Sequence, residues 1–503
     1  MNKNVLAIDF GASSGRAILG QYDGRDIVFH EIHRFSNDPV MIQGTFYWDI
    51  LRLFHEIKQS IILSKKYGAL DSIAVDTWGV DFALLDKDGH LLENPVHYRD
   101  TRTRGMIPHF SVKMPSKKLY EITGIQPLEH NTLYQLLSLK ENRPDILQRA
   151  DKLLMIPDLF GYFLSGNIRA ELSAASTTQL INPDDKEWSD EIIQAIGINR
   201  SLFPPLLPSG QPLGTLSESL CQELGVAPCK VYAVCSHDTQ SAMAAVPSQD
   251  QDFLFLSSGT WSLLGTELES PITTSAARQL GLSNEVGFDN KISFLKNING
   301  LWLIQESRRQ WIREGINYSF ADLERLARNA PPFCCFINPD DPVFDQAGDI
   351  PSAVREFCRK TGQSIPQSAG EIMRCIYESL ALRYRMAIKD IEYCTGKKYP
   401  SLYIVGGGTK DQFLSTLTAN SSGYRVVSGP TEATAIGNVL VQLIASGEIK
   451  SLKEARKMIA HTESLRIFEP EKQLCWDKAA LRFQEIFAYT KNWQKEVITC
   501  MNR

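Results

Sequence analysis

The spacing of apolar positions changes along the chain in a recurring order. The run "VLAIDF" at 5–10 is nearly all apolar, the polar turn "GASSGR" interrupts it, and "AILGQY" resumes it, which predicts two strands in a tight hairpin. "DIVFHEIHRF" at 26–35 predicts a third strand. In "WDILRLFHEIKQSIILSKKYG" the period becomes helical, with Ile50, Phe54, Ile57 and Ile61 on one face and Gly68 where a helix stop belongs. "DSIAVD" at 71–76 returns to strand. Three strands, a helix and another strand open an α/β domain.

The pattern comes back near mid-chain: "FLFLSS" at 253–258, the turn "SSGT", then "WSLLGT" at 261–266. The two apolar runs begin 248 residues apart, so two similarly built domains are expected although the halves share little residue identity. The expected boundaries are 1–246 and 247–503, with roughly the last 40 residues a helical tail. The second half goes on with a strand in "KISFLKNI", a helix in "GLWLIQESRRQWIREG", and a long helix from Ser368 to about Cys394. "SLYIVGGGTKDQFL" reads as strand, glycine turn and helix, and "YRVVSG" leads into the helix "EATAIGNVLVQLIASG". Residues 95–230 have Pro-rich connections and short helices, an elaboration of the first domain around a substrate site.

Composition narrows the class. With 43% hydrophobic and 22% charged residues the chain is an ordinary globular protein, and a net charge of -5 without a Lys/Arg cluster argues against a nucleic-acid partner. Four apolar residues before Asp9 are too few for a signal peptide. Pro157, Asp158 and Gly161 interrupt the longest later apolar run, so no membrane partner and a cytoplasmic location are expected. Ten scattered cysteines, with Cys334-Cys335 the one adjacent pair and no C-x-x-C, spell neither a zinc site nor a disulfide framework.

Three glycine-bearing turns follow apolar strands, the place where α/β sheets bind ligands. In "AIDFGASSGR" backbone N–H groups near Gly11 and Gly15 suit a polyphosphate and Arg16 adds a permanent charge; a plain polar hairpin accounts for the same residues. "SSGT" at 257–260 repeats the motif, and "VGGGTK" places Gly406, Gly407 and Gly408 between a strand and a helix. None is a Walker A loop. In "DTWGVDF", Asp76, Trp78 and Asp81 suit sugar hydroxyls and an apolar sugar face, against the alternative of a buried aromatic with loop-capping carboxylates. Arg99, Asp100 and Arg102 read equally well as a charge cluster or a sugar contact. His30 and His33, three apart in a strand, are expected on opposite faces and make a poor metal pair. "VCSHDTQSAMAA" puts Asp238 at a helix N-terminus, as its cap or as a carboxylate for chemistry.

These motifs, "LAIDFGASSGR", "SIAVDTWGVDFALLD", "YRDTR", "SHDTQSA", "LSSGTWSL", "LKNINGLWLIQE" and "YIVGGG", together resemble those of the FGGY carbohydrate kinases from Asp9 to about Gly447. The resemblance implies an α/β fold of two ribonuclease H-like domains, as in actin-like ATPases, with the active site in the interdomain cleft. It implies ATP with Mg²⁺ as cofactors and a small-molecule ketose as substrate, in a monomer or a homodimer. Residue by residue, Ala12, Ser13, Ser14, Gly15 and Arg16 match the first phosphate loop and Thr260 the second; Gln305, Gly406, Gly407 and Gly408 match nucleotide contacts. Gly79, His237, Thr239 and Asn297 match substrate contacts, with Trp78 and Asp81 as further candidates, and Asp238 matches the proton acceptor. Asp9 is placed to hold Mg²⁺ through water. Phosphoryl transfer asks for alignment of the sugar hydroxyl and neutralisation of phosphate charge, which this set supplies. The competing readings are a kinase for another sugar or polyol of the family and an actin-like ATPase acting as a chaperone or polymer; the latter leaves "SHDT" and "DTWGVD" without a use.

Overall fold

The computed structural model describes residues 2–345, 348–471 and 473–501, the last eleven by their backbone alone. In chain order, the elements carrying the first sheet and its site are β1 (Lys3–Phe10), β2 (Ser14–Tyr22), β3 (Ile27–Ser36), α1 (Ile50–Ser64), β4 (Ser72–Thr77), β5 (Gln211–Thr215), β6 (Lys230–Ala233) and α2 (Asp238–Ala244). Next come β7 (Leu254–Ser258), β8 (Trp261–Leu268), β9 (Ser283–Val286), β10 (Ile292–Asn299), α3 (Trp302–Arg313), α4 (Ile350–Lys360) and α5 (Ala369–Thr395). The chain ends with β11 (Leu402–Val405), β12 (Val426–Ser428), α6 (Ala433–Ala445), β13 (Arg466–Phe468) and α7 (Gln473–Met501).

The chain forms two compact units, each drawn from three segments. The first comprises residues 1–249, 267–295 and 432–463; the second comprises 250–266, 296–431 and 464–503. In the first unit the strand order is β5-β6-β4-β1-β2-β3, with β1, β4 and β6 parallel and the β1–β2 and β2–β3 hairpins antiparallel. In the second, β8, β7, β11, β12 and β13 lie side by side, again a hairpin (β7–β8) followed by the parallel strands β11 and β12, with β13 antiparallel at the edge. The recurrence of the apolar pattern 248 residues on therefore reflects a recurring hairpin-plus-parallel-strand plan.

Local chemistry accounts for the elements. Asp49 caps α1 by accepting the Arg52 N–H at 3.2 Å; Ile50, Leu53, Ile57 and Ile61 are its buried face, and the chain leaves a short 3₁₀ turn through Gly68 at φ 110°. Leu53 takes the buried place expected for Phe54, which is half-buried. α5 opens with a reciprocal capping box between Ser368 and Glu371 and stops at Gly396, φ 68°. A β-bulge between β2 and β3 inserts an extra residue near Ile32, so His30 and His33 both face the α1 side, one against Tyr67 and one on Glu56. The expectation of opposite faces is thus corrected. Each histidine has its own partner, Gln21 and Glu56 respectively.

α6, nearly two hundred residues beyond residue 249, packs on the first sheet. Its Gln442 donates to Leu6 O and accepts from Ser72, and Asn438 donates to the Asp76 carboxylate at 2.6 Å. Small residues permit this approach: a Cβ on Gly20 would stand 2.5 Å from Val439, and one on Gly437 only 1.8 Å from Ser241 O in α2. No described helix is long and apolar enough to cross a membrane.

Candidate active site

The first unit gathers three carboxylates at the C-terminal ends of its parallel strands. Asp9 in β1 lies opposite Arg16 in β2 and level with Asp76 in β4, so strand register alone forms a row Arg16–Asp9–Asp76. Thr77 pairs with His237 just beyond β6, which brings Asp238 to the same edge. Asp9 and Asp76 are buried; Asp9 raises the pKa of Asp76, and Asp238 adds to both. Burial is the largest cause. It pushes Asp9 to about 6 even though the Arg16 guanidinium stands 2.6 Å away, and it pushes Asp76 well above the carboxylate range despite the Asn438 donor.

Arg16 is not the free cation expected of a phosphate clamp. Its guanidinium bridges Asp9 and Glu432, at 2.6 and 2.7 Å, and Glu432 also meets Arg34 at 3.0 Å. The glycine of the same turn likewise has a packing reason: a Cβ on Gly15 would lie 2.2 Å from the Phe35 ring, and its backbone angles are ordinary. Ala12, Ser13 and Ser14 are partly or fully exposed around it, as a ligand-facing turn requires.

Asp238 is the first residue of α2, and its N-cap is His237, with no side-chain capping bond. Its side chain keeps 28% exposure. The His237 ring stands 3.3 Å from one carboxylate oxygen, and the Thr239 hydroxyl donates to the same oxygen at 3.2 Å. On the other side, His237 Nδ1 is 3.1 Å from the buried carboxylate of Glu285 in β9. Gln240 donates to Glu285 and accepts from Ser293, so Glu285 is itself held in place. Burial works against a charged His237, but Glu285 foremost and then Asp238 outweigh it and raise the imidazole pKa. Asp238 is raised by burial and pulled back first by the His237 charge.

The "DTWGVDF" segment is built around Asp81, which is fully buried and accepts from both indoles, Trp48 at 2.6 Å and Trp78 at 3.0 Å, and from Tyr98 N–H and Gln135. Of the two readings of this segment, the structure displays the buried aromatic with a capping carboxylate: the Asp81 oxygens hold the Trp48–Trp78 pair, whose rings are 3.9 Å apart. Val80 sits at φ 65°, a strained conformation for a β-branched residue. Three hydrogen bonds fix it there: its N–H to Thr177, and its carbonyl from Thr132 and Gln135. Gly79 faces Thr177, with 3.0 Å for any Cβ. Asp100 caps its own 3₁₀ turn and accepts the Phe46 N–H, and Arg102 donates to Gln135, so both are internal contacts.

In the second unit, the β7–β8 turn is tied to the start of α3. Gly300 and Trp302 N–H groups donate to Thr260 O, Leu301 N–H donates to Gly259 O, and Thr260 Oγ1 meets Gln305 at 3.4 Å. The glycine loop after β11 rests on Ser258 at the end of β7: a Cβ on Gly408 would be 2.0 Å from the Ser258 hydroxyl, Gly406 takes φ 87°, and Gly407 has open space. Thr260, Gln305 and Gly406–Gly408 therefore surround one strand end, whereas Asn297 lies half-buried in β10 of the same unit.

Two family models match the chain, the N-terminal domain of the FGGY family of carbohydrate kinases over residues 4–245 and its C-terminal domain over 254–446. The chain belongs to the FGGY family of carbohydrate kinases. Its sequence is 40% identical to a rhamnulokinase of Bacteroides thetaiotaomicron over 96% of this chain and 99% of the relative. It is also 40% identical to a rhamnulokinase of Bacillus subtilis over 92% and 95%. By fold it is similar to a xylulose kinase from Lactobacillus acidophilus (TM-score 0.80, 17% identity, 99% and 98% covered). It is similar too to Plasmodium falciparum glycerol kinase with ADP (TM-score 0.79, 15% identity, 97% and 98% covered).

As an FGGY kinase the chain uses ATP and a carbohydrate, and the two strand edges just described supply a carboxylate cluster and a glycine-lined turn. Glu285 and Glu432 were not legible from motifs. The signal for Glu285 was faint, a charged residue inside the short strand "SNEV"; Glu432, at the head of a helix, carried none.

Proposed function

We propose that this kinase phosphorylates L-rhamnulose with ATP to give L-rhamnulose 1-phosphate. The observation that carries this is the agreement of relatives named rhamnulokinase at about 40% identity along nearly the whole of both chains. In this reading Asp238 accepts the proton of the attacking hydroxyl and fixes its direction. His237, whose charged form Glu285 favours, stands 3.3 Å from Asp238, lowers its pKa against the effect of burial, and aims it. Thr239, Gly79, Asn297 and the apolar surface of Trp78 contribute to the sugar site; Asp81 supports it by holding Trp78.

The first phosphate turn, residues 12–16, and the second, at Thr260, line the phosphates, while Gln305 and Gly406–Gly408 cradle the nucleotide. Arg16 in this account positions Asp9. Asp76 Oδ1 is buried without a hydrogen-bond partner, beside Asp9 and Asp238, whose charges raise its pKa, an environment that fits a divalent cation. Asp9, through water, with Asp76 would hold Mg²⁺, which supplies neutralising charge beside the phosphate oxygens.

The test is an ATP-coupled assay over L-rhamnulose, L-fuculose, D-xylulose and glycerol, with NMR of the product. L-Rhamnulose is expected to lead in kcat/KM by about tenfold or more, the discrimination a hydrogen-bonded hydroxyl allows, and to give the 1-phosphate. A clear preference for another member of the panel would overturn the reading.

A further inference from the structure

The described cysteines are all free thiols, and three of them, far apart in sequence, converge in the second unit. Cys335 follows the Pro331-Pro332 pair, Cys358 lies near the end of α4, and Cys375 lies in the second turn of α5. All three are buried, and their Sγ atoms lie within 4.8 Å of one another. We propose that Cys335, Cys358 and Cys375 form a three-coordinate thiolate site for a soft d¹⁰ cation of the copper(I) class.

Geometry, donor type and access support it. Three sulfurs around one ion at about 2.3 Å stand about 4 Å apart, so the triangle needs to tighten by less than about 1 Å per edge. The group contains sulfur alone, and thiolates select soft ions over Mg²⁺ or Ca²⁺. Structural zinc takes four ligands, and the neighbouring thiol is directed elsewhere: the Cys334 sulfhydryl lies 3.6 Å from Pro331 O and 3.8 Å from Pro332 O.

The charged groups that bear on the cluster are few. Glu371 is engaged in the α5 cap, Glu378 pairs with Arg374, and Arg482 donates to Phe333 O and faces the Cys334 carbonyl. Cys334 is exposed and adjacent to Cys335, which provides an entry route. The ion binds the outer Cys334 sulfur with release of its proton to water; Cys335 then displaces that sulfur, which takes a proton back, and Cys335, Cys358 and Cys375 each release a proton to water as they bind. No electron is transferred in these exchanges. Loading would tie the 331–338 segment, α4 and α5 together.

The full-length reduced protein is titrated with Cu(I) without oxygen against a competing Cu(I) chelator, followed by thiolate-to-copper charge-transfer absorption and X-ray absorption. The expected result is one equivalent bound by three sulfurs, and a higher melting temperature when loaded. Cys335→Ser, Cys358→Ala and Cys375→Ala are each expected to weaken binding at least a hundredfold while metal-free kinase activity stays within about twofold, the control for folding. Cys334→Ser keeps the stoichiometry and slows uptake. No uptake by the wild-type protein, binding unchanged in the single variants, a shell containing nitrogen or oxygen, or loss of two of these thiols to a disulfide in place of metal uptake would each overturn the proposal. The wild-type titration and spectrum decide it even if a variant fails to fold.

Discussion

Asp238→Asn keeps the size and the Thr239 contact but removes the base. Its kcat is expected to fall by about 10²–10⁴-fold with the ATP KM little changed, and near wild-type turnover would exclude Asp238 as the proton acceptor. Glu285→Gln tests the support behind it. Without the Glu285 charge, His237 loses the main influence that raises its pKa, its charged form is favoured less, and it depresses Asp238 less. The acid limb of the kcat/KM profile is then expected to move to higher pH, and an unmoved limb would make Glu285 a packing residue only. The linkage to stability has the corresponding sign: His237's folded pKa lies above its unfolded one, so its contribution is present below about 6.5 and fades as pH rises through the raised value.

At the scale of elements, contacts between neighbouring strands and helices decide what each motif does. Arg16→Ala leaves Asp9 and Glu432 without their shared cation at the β1–β2 edge. Stripping one partner from a buried pair costs about 3–5 kcal/mol, so the melting temperature is expected to drop, and to drop less at pH 5 than at pH 8 because protonated Asp9 needs no partner. Thermal unfolding at the two pH values measures this. On α6, Gly437→Ala drives a methyl group to 1.8 Å from Ser241 O; a loss of about 1–3 kcal/mol or more is expected, read from the denaturant midpoint at unchanged slope. In the second unit, Gly408→Ala pushes against Ser258 and is expected to raise the KM for ATP while leaving that for the sugar within about twofold.

Across the whole molecule, the first unit is completed by segments from far down the chain. A fragment ending at residue 246 lacks α6 and β9, hence the donors to Leu6 O and Asp76 and the Glu285 carboxylate. It is expected to lack a cooperative unfolding transition by circular dichroism. Local rules encode the strand and helix periods, the long helix that begins at Ser368, the two hairpins with their small-residue turns, and motifs distinctive enough to name the family, and these are readable from the chain alone. A turn needs only its own few residues to be specified, so it is legible in one line of text. Packing alone brings distant groups into one site: Arg16 between Asp9 and Glu432, Asp81 bonded to two indoles, Glu285 behind His237, and three cysteines in one buried triangle. The reason is physical. The charge state of a carboxylate or thiol depends on burial and on charges within a few ångströms, and those neighbours come from strand register and helix packing rather than from spacing along the chain.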